Sequence, residues 1–209
     1  MRVGRFFDCA WPIRAILVLF LGAFLSVRPA DAAMTPPDII VACNSLARMA
    51  FDLKDLINVV VQLKNPGPFQ DIMDEFKDIS DSCLSTIGVM IRTPVITDQN
   101  DQQLIYESYS YFVQGVFELM DAITASAADL ITVDKQAEFR IPAAVREMAG
   151  VTDALLYQVM AVFPTTSSYS QQAMNQMAQV DTHFRMSVHS IHLATASTGS
   201  PYSNTTTVE

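Results

Sequence analysis

Apolar residues recur at steps of four and three along most of this chain, and this pattern restricts the fold more than any other feature. In the first such segment the stripe is formed by Ile39, Cys43, Leu46, Ala50, Leu53, Ile57 and Val60. Steps of three and four place side chains on one side of an α-helix. Short alternating strands separated by Asn-Gly or Asp-Gly turns, which would indicate β-hairpins, are not found. The sequence therefore predicts an all-α protein.

Five segments carry such a stripe, and turns that contain proline separate most of them. They cover residues 36–63, 69–92, about 98–128, 134–163 and about 165–193. The short turn Asn65-Pro66-Gly67-Pro68 makes the first two helices antiparallel neighbours. We predict a single-domain bundle of about five amphipathic helices that covers residues 33–193.

Two residues inside these segments are unusual in helices. Pro142 lies within the fourth segment and is expected to begin a new helix or to kink the existing one. Gly115 lies within the third, where glycine costs about 1 kcal/mol relative to alanine. Such a cost suggests that Gly115 marks a close contact between helices.

The first 32 residues have the pattern of a secretory signal peptide. Arg2, Arg5 and Arg14 form a basic start, residues 15–25 are apolar, and Ala30-Asp31-Ala32 offers small residues for cleavage. The apolar run is shorter than the roughly 20 residues that a transmembrane helix needs. We expect cleavage near residue 33, export to the extracellular space or cell wall, and no transmembrane segment after processing. An uncleaved membrane anchor is the alternative.

The charge of the exported chain limits its partners. Removal of residues 1–32 leaves 9 basic and 20 acidic residues, so the formal charge becomes −11. Such a surface repels phosphate backbones, and we do not expect nucleic acid as a partner.

The C-terminal residues 194–209 are rich in serine and threonine. This composition is typical of a disordered tail. The tail carries an acceptor for N-linked glycosylation at Asn204, followed by Thr205 and Thr206.

Two cysteines, Cys43 and Cys83, remain after cleavage. Both lie on apolar stripes, and they stand 22 and 18 residues from Asn65 in the turn between the first two helices. At about 1.5 Å per residue, their heights along the helices differ by roughly one turn. An even pair in an exported chain usually forms a disulfide, and we predict one here. Redox-active or metal-binding thiols are the alternative, but neither cysteine belongs to a CxxC motif or a His/Cys cluster.

Motifs of common enzymes and metal sites are not found. The sequence contains no GxSxG elbow, P-loop or GxGxxG. The three histidines between residues 183 and 192 lack the converging ligands that zinc needs, and they are interpreted as solvated residues at a helix end. The carboxylates at residues 71–81 repeat along the outside of one helix and are expected to be solvated. We therefore expect no enzymatic activity, no cofactor and no metal.

Large, flexible apolar side chains are abundant instead. Ten of the eleven methionines remain after cleavage, and phenylalanines occur in all five segments. Methionine is flexible and polarisable, and it is over-used at surfaces that accept varied apolar partners. Ordinary core packing is the simpler interpretation, and an adaptable apolar cavity is the functional one. The candidate ligand contacts are Phe76, Phe112, Met120, Met148, Leu155, Met177 and Phe184.

The order of these features resembles the fungal hydrophobic surface-binding protein A family, which includes cell-wall galactomannoproteins. The similar stretches are the long first helix, Leu104–Ile123 ahead of Ala127-Ala128-Asp129, Phe139–Leu156 with Phe163-Pro164 beyond it, and a last helix with Val180, Phe184 and Ile191. The resemblance covers about residues 39–193. It implies an exported all-α bundle without enzyme activity that binds hydrophobic surfaces, or fatty acids between its helices.

Two functional hypotheses follow. The first is a secreted, non-enzymatic binding protein for hydrophobic surfaces or lipids, with a fatty-acid-like ligand between the helices and possible cell-wall association. The charge of −11 would disfavour a carboxylate head, which should therefore sit in water or near an isolated cation. The alternative is a secreted protein–protein interaction module, such as an inhibitor or an effector.

Overall fold

The structure is a computed structural model that describes residues 33–197. Five helices make up most of this part: α1 (Pro36–Leu63), α2 (Phe69–Met90), α3 (Gln99–Val133), α4 (Ala137–Ala161) and α5 (Ser168–Ser197). Within these residues there is no strand, so the predicted all-α class is confirmed. The predicted signal peptide, residues 1–32, and the glycosylation site Asn204 lie outside the described residues.

Side chains satisfy backbone groups where α1 and α3 begin. The Asp38 carboxylate accepts hydrogen bonds from Thr35 N at 2.9 Å and from Thr35 Oγ1 at 2.6 Å. Asp98 accepts one from Asp101 N at 2.9 Å, as an N-cap residue does. At the other end of α1, Lys64 adopts a left-handed conformation with φ of 48°, which ends the helix before the proline turn.

The fourth segment is one helix, so the first alternative for Pro142, the start of a new helix, is wrong. Pro142 lies inside α4, about one and a half turns after Ala137, and the helix continues past it. A proline this close to the N-terminus of a helix removes few backbone hydrogen bonds. The turn before α4 is short because α3 extends to Val133, beyond its predicted end at residue 128. Helix α5 likewise continues to Ser197, past the predicted domain boundary at residue 193, and Ala194 on this last turn is buried.

The five helices form a ring in which one boundary is less extensive than the others. Helix α1 packs extensively on α3, α3 on α5, α5 on α4, and α4 on α2. The contact between α1 and α2 that closes the ring is smaller. We call this boundary, where residues 38–46 face residues 82–86, the α1–α2 seam.

The stripes predicted from the sequence form the core. All seven stripe residues of α1 are buried, and the largest fully buried side chains are Tyr109, Phe69, Phe76 and Phe112. A Cβ atom on Gly115 would lie 3.0 Å from Ala47 O and 3.3 Å from Ala50 Cβ. The close contact suggested by Gly115 is therefore confirmed, and it joins α3 to α1.

Candidate functional site

A groove opens to solvent along the α1–α2 seam. Its volume is about 410 Å³. Five of its lining residues come from α1 and three from α2. They are Asp38, Val41, Ala42, Ser45 and Leu46, with Ser82, Ser85 and Thr86 opposite. We call it the α1–α2 groove.

The direction of the two helices fixes which ends of the groove meet. Met34 N donates to Thr93 Oγ1 at 3.2 Å, so the start of α1 lies beside the end of α2. Thr86 therefore lies toward the Asp38 end of the groove, and Ser82 toward the Leu46 end. Thr86 Oγ1 donates to Ser82 O at 2.8 Å, an ordinary bond within a helix.

The apolar part of the groove combines exposed and buried side chains. Val41 is 68% exposed, whereas Leu46 is buried and belongs to the core. Ala42, between them, is half-buried. The groove can therefore place a ligand's apolar surface against the edge of the core, while Ser45 and Ser85 stay exposed at its rim.

Asp38 is the one ionisable residue among those that line the groove. The hydrogen bonds from the side chain and backbone of Thr35 hold the pKa of its carboxyl below the usual range. The group is therefore ionised at neutral pH. Both bonds from Thr35 reach Oδ2, so Oδ1 takes no part in them.

The predicted disulfide is absent, because Cys43 and Cys83 are both free and buried. The two residues do face the interior near the seam, as their stripes predict. Their helices, however, are the neighbours in the ring that contact each other least. Each thiol also lies near a different helix: Cys43 near Ser108 of α3, and Cys83 near Thr152 of α4.

Burial controls the chemistry of these thiols. It raises the pKa of Cys43 to about 12, and the nearby Ser108 hydroxyl opposes this only weakly. Burial also raises the pKa of Cys83 to about 12, and the nearness of Cys43 adds to the shift. Thiols with such a pKa stay protonated at neutral pH and are poor nucleophiles.

A buried hydroxyl beside Cys83 lacks a hydrogen bond. Thr152 is 0% exposed, and within the described residues its Oγ1 is the one buried side-chain oxygen or nitrogen without a partner. Its hydroxyl interacts with the Cys83 thiol and opposes the rise in the pKa of that group.

The ligand contacts proposed from the sequence do not line the groove. Met177 is half-buried against the core, and the other six are buried in it: Phe76, Phe112, Met120, Met148, Leu155 and Phe184. In the structure these side chains are part of the packed hydrophobic core.

Sequence reasoning missed the groove residues, although a signal for them exists. The height comparison that set Cys43 against Cys83 also sets Ala42 and Ser45 against Ser82 and Ser85. Small side chains on both sides of one helix boundary leave room between the helices. The pattern of large residues, which guided the prediction, points instead to the core.

The histidines have separate surroundings. His183 Nδ1 lies 3.0 Å from Asp121 Oδ1, and its ring stacks on Phe117 with centroids 4.3 Å apart. These contacts tie α5 to α3, whereas His189 and His192 are exposed. Among residues 33–197, no group of three or more His, Cys, Asp or Glu side chains is placed to hold a metal ion.

None of the helices in the described range combines the length and the apolar character that crossing a bilayer requires.

No protein-family model matches this chain, and no curated protein matches it. The resemblance to the fungal hydrophobic surface-binding family therefore depends on the residue pattern alone and stays a prediction.

Proposed function

We propose that this protein is a non-enzymatic binding protein that takes apolar partners at the α1–α2 groove. The observation that carries the proposal is the seam itself, where the helix ring is least tightly closed and a groove of about 410 Å³ reaches the core. This volume falls within the range of roughly 300–1,000 Å³ that is typical of small-molecule sites.

Val41 supports an apolar partner. It is 68% exposed beside the groove, so a ligand in the groove would cover part of this side chain. Removing apolar surface from water contributes about 25 cal/mol per Å². A small amphiphile or the edge of a hydrophobic surface would gain stability by this contact.

The filled core makes the groove a better candidate than an interior cavity. Tyr109, Phe76 and Phe112 are fully or almost fully buried at the centre of the ring. A fatty-acid-like ligand between the helices would have to displace such side chains, or separate α1 from α2. Binding at the groove requires neither.

Export belongs to the same proposal. The basic start, apolar run and small residues of positions 1–32 support a secreted protein that resides outside the cell or in the cell wall. Membership in the hydrophobic surface-binding family is likewise proposed, on the pattern described above.

The proposal can be tested with a neutral fluorescent probe such as N-phenyl-1-naphthylamine. The full-length chain is expressed, and the protein is purified as the cells release it. We expect saturable binding that Ser85→Leu and Ser45→Leu, which fill the groove, weaken about tenfold or more. Ala178→Leu, at an exposed position on α5, is the matched control and should bind like the wild type.

Absence of saturable binding, or equal binding by all four proteins, would contradict the proposal. Thermal unfolding followed by circular dichroism shows whether each variant is folded. N-terminal sequencing of the released protein tests the expected cleavage near residue 33.

Exposed apolar residues on α2 and directly after its end favour a second candidate, the protein–protein interaction module. Leu84 and Ile91 are seven residues apart, about two helical turns, so they lie on the same side of the helix axis. Their side chains are 52% and 50% exposed. A partner that uses this face should be lost with Leu84→Glu and Ile91→Glu. It should be retained with Leu193→Glu, at an exposed position on α5. A stable, stoichiometric partner of the ligand-free protein with this variant profile would favour the second candidate.

A further inference from the structure

We propose that the α1–α2 groove selects cationic amphiphiles, with a protonated amine head at Asp38 and a short apolar body along Val41, Ala42 and Leu46. This inference rests on the function proposed above, because it assigns the class of ligand to the same groove.

The charge in the groove is negative and uncompensated by an ion pair. Asp38 is ionised, and its lowered pKa arises from hydrogen bonds with Thr35 rather than from a neighbouring cation. None of the ion pairs among residues 33–197 involves Asp38. A cation at this end of the groove would therefore not have to displace an existing partner.

Asp38 and the exposed side chain of Val41 lie about one turn apart on the same side of α1. Asp38, Val41, Ala42 and Leu46 follow one another at steps of three, one and four, so they lie on one side of α1. From Asp38 to Leu46 the distance along the helix axis is about 12 Å. A ligand with a head at one end and a short chain at the other fits this order.

The opposite wall of the groove carries no charged side chain. Thr86 and Ser85 lie toward the Asp38 end because α1 and α2 run antiparallel, and the Ser85 side chain is exposed. A protonated amine has several N–H donors, so it can bond to the Asp38 carboxylate and keep its other donors hydrated. A carboxylate head would instead face Asp38 at close range.

The electrostatic field of the whole protein also favours a positively charged ligand. After loss of residues 1–32 the formal charge is −11, which concentrates cations and repels anions near the surface. This field acts on every cation alike, so it cannot by itself place a ligand in the groove. The effect of Asp38 must be separated from it experimentally.

The experiment compares decylamine, decanol and decanoate, which share one chain and differ in the charge of the head. Binding is measured by isothermal titration calorimetry at pH 7 and low salt, with the protein released from cells that express the full chain. We expect decylamine to bind about fivefold more tightly than decanol, as an exposed ion pair allows, and decanoate to bind weakest.

Two substitutions at Asp38 separate charge from structure. Asp38→Asn should remove the advantage of decylamine, so that decylamine and decanol bind this variant with about equal affinity. Asp38→Glu should keep the advantage, because Glu at this position retains both the charge and the capping interaction with Thr35. Thermal unfolding of both variants shows whether the start of α1 is intact.

The outcomes distinguish selection by charge at Asp38 from binding at the groove itself. Equal affinity for decylamine and decanol, with loss of both in Ser85→Leu, would overturn the charge selection and leave the groove as a binding site. An amine advantage that persists in Asp38→Asn would assign it to the general field and also overturn the inference. Failure of all three compounds to bind the wild type would overturn the inference and count against the proposed function.

Discussion

At the scale of single residues, Gly115 determines how closely α3 approaches α1. A Cβ atom at this position would lie 3.0 Å from the Ala47 carbonyl oxygen, which belongs to the backbone and cannot turn aside. Gly150 lies in a helix too, but a Cβ there would have no neighbour within 4 Å. The same residue type therefore has opposite roles at the two sites.

We expect Gly115→Ala to lower the free energy of unfolding by about 1–2 kcal/mol, because the added methyl group overpacks the helix contact. Gly150→Ala should raise it by about 0.5–1 kcal/mol, since alanine loses less entropy in a helix. Urea unfolding followed by circular dichroism measures both values. If both substitutions stabilise the protein, the close contact of α1 with α3 is not present in solution.

At the scale of single residues, the sequence predicted a role where one residue has an unusual free-energy cost in a helix. Gly115 stood out because glycine weakens a helix interior, and the structure supplies the reason. Ser45 and Ser85 have no such cost on an exposed helix face, so nothing in the local sequence distinguished them. Their role depends on the opposite helix.

At the scale of the helix, capping residues determine where the elements start. The Asp98 carboxylate accepts from Asp101 N at the start of α3, the helix that packs on both α1 and α5. We expect Asp98→Ala to lower the free energy of unfolding by about 1 kcal/mol, whereas Asp98→Ser should retain most of the cap. Asp129→Ala, at an exposed position near the end of the same helix, serves as the control.

Chemical denaturation of the three variants measures this difference. Asp129→Ala should have no effect or stabilise slightly, because an acidic residue near a helix C-terminus opposes the dipole. If Asp98→Ala and Asp129→Ala lower the free energy of unfolding equally, the loss of a negative charge, rather than the loss of the cap, causes the change.

Helix prediction succeeded where stripes and caps agreed, and it failed where a single residue was weighed too strongly. The bounds of α1 follow from Thr35, the prolines after it and the turn that begins at Asn65. A new helix at Pro142 was one of the two alternatives predicted, because proline disfavours helix interiors. Pro142 lies early enough in α4 that the apolar packing of the following turns outweighs this cost.

At the scale of the whole molecule, the lateral distance between α1 and α2 could not be read from the sequence. Periodicity placed Cys43 and Cys83 on the inward sides of their helices, and both are buried. Whether two helices touch depends on the order of all five in the ring, where α3 and α4 hold α1 and α2 more strongly than these hold each other. The missing disulfide and the overlooked groove have this one cause.

Stability should fall at alkaline pH because both thiols hold their protons more tightly in the folded state. Their pKa is about 12 when folded, against a reference value of 9.0, so unfolding releases protons above pH 9. The free energy of unfolding therefore decreases as the pH rises from 9 toward 12, by up to about 1.4 kcal/mol per pH unit for each cysteine. Burial raises the pKa of Tyr109 as well, which acts in the same direction.

Urea midpoints between pH 8 and pH 11 measure this dependence. The double variant Cys43→Ala/Cys83→Ala should be less stable at pH 8, because it creates cavities, but its stability should fall less steeply above pH 9. An equal slope in both proteins would contradict the assignment to the thiols.

Cys43 and Cys83 lie on the two helices that form the seam, so we expect their labelling to report its opening. At pH 8, a thiol with a pKa of about 12 is ionised only on the order of 1 in 10,000, and Cys43 and Cys83 are also covered. We expect Ellman's reagent to react with the folded protein at least a thousandfold more slowly than with the unfolded chain.

A ligand that bridges α1 and α2 should slow labelling further, because it stabilises the closed seam by mass action. Decylamine at saturation is the probe, and Ser85→Leu, which blocks the groove, is the control in which it should have no effect. Rapid labelling of the folded protein would show that the seam is open in solution.

The number of reactive thiols in denaturant without reductant tests cleavage and oxidation. Two thiols should react if residues 1–32 have been removed, and three if Cys9 is retained. If Cys43 and Cys83 do not react in denaturant, they are oxidised.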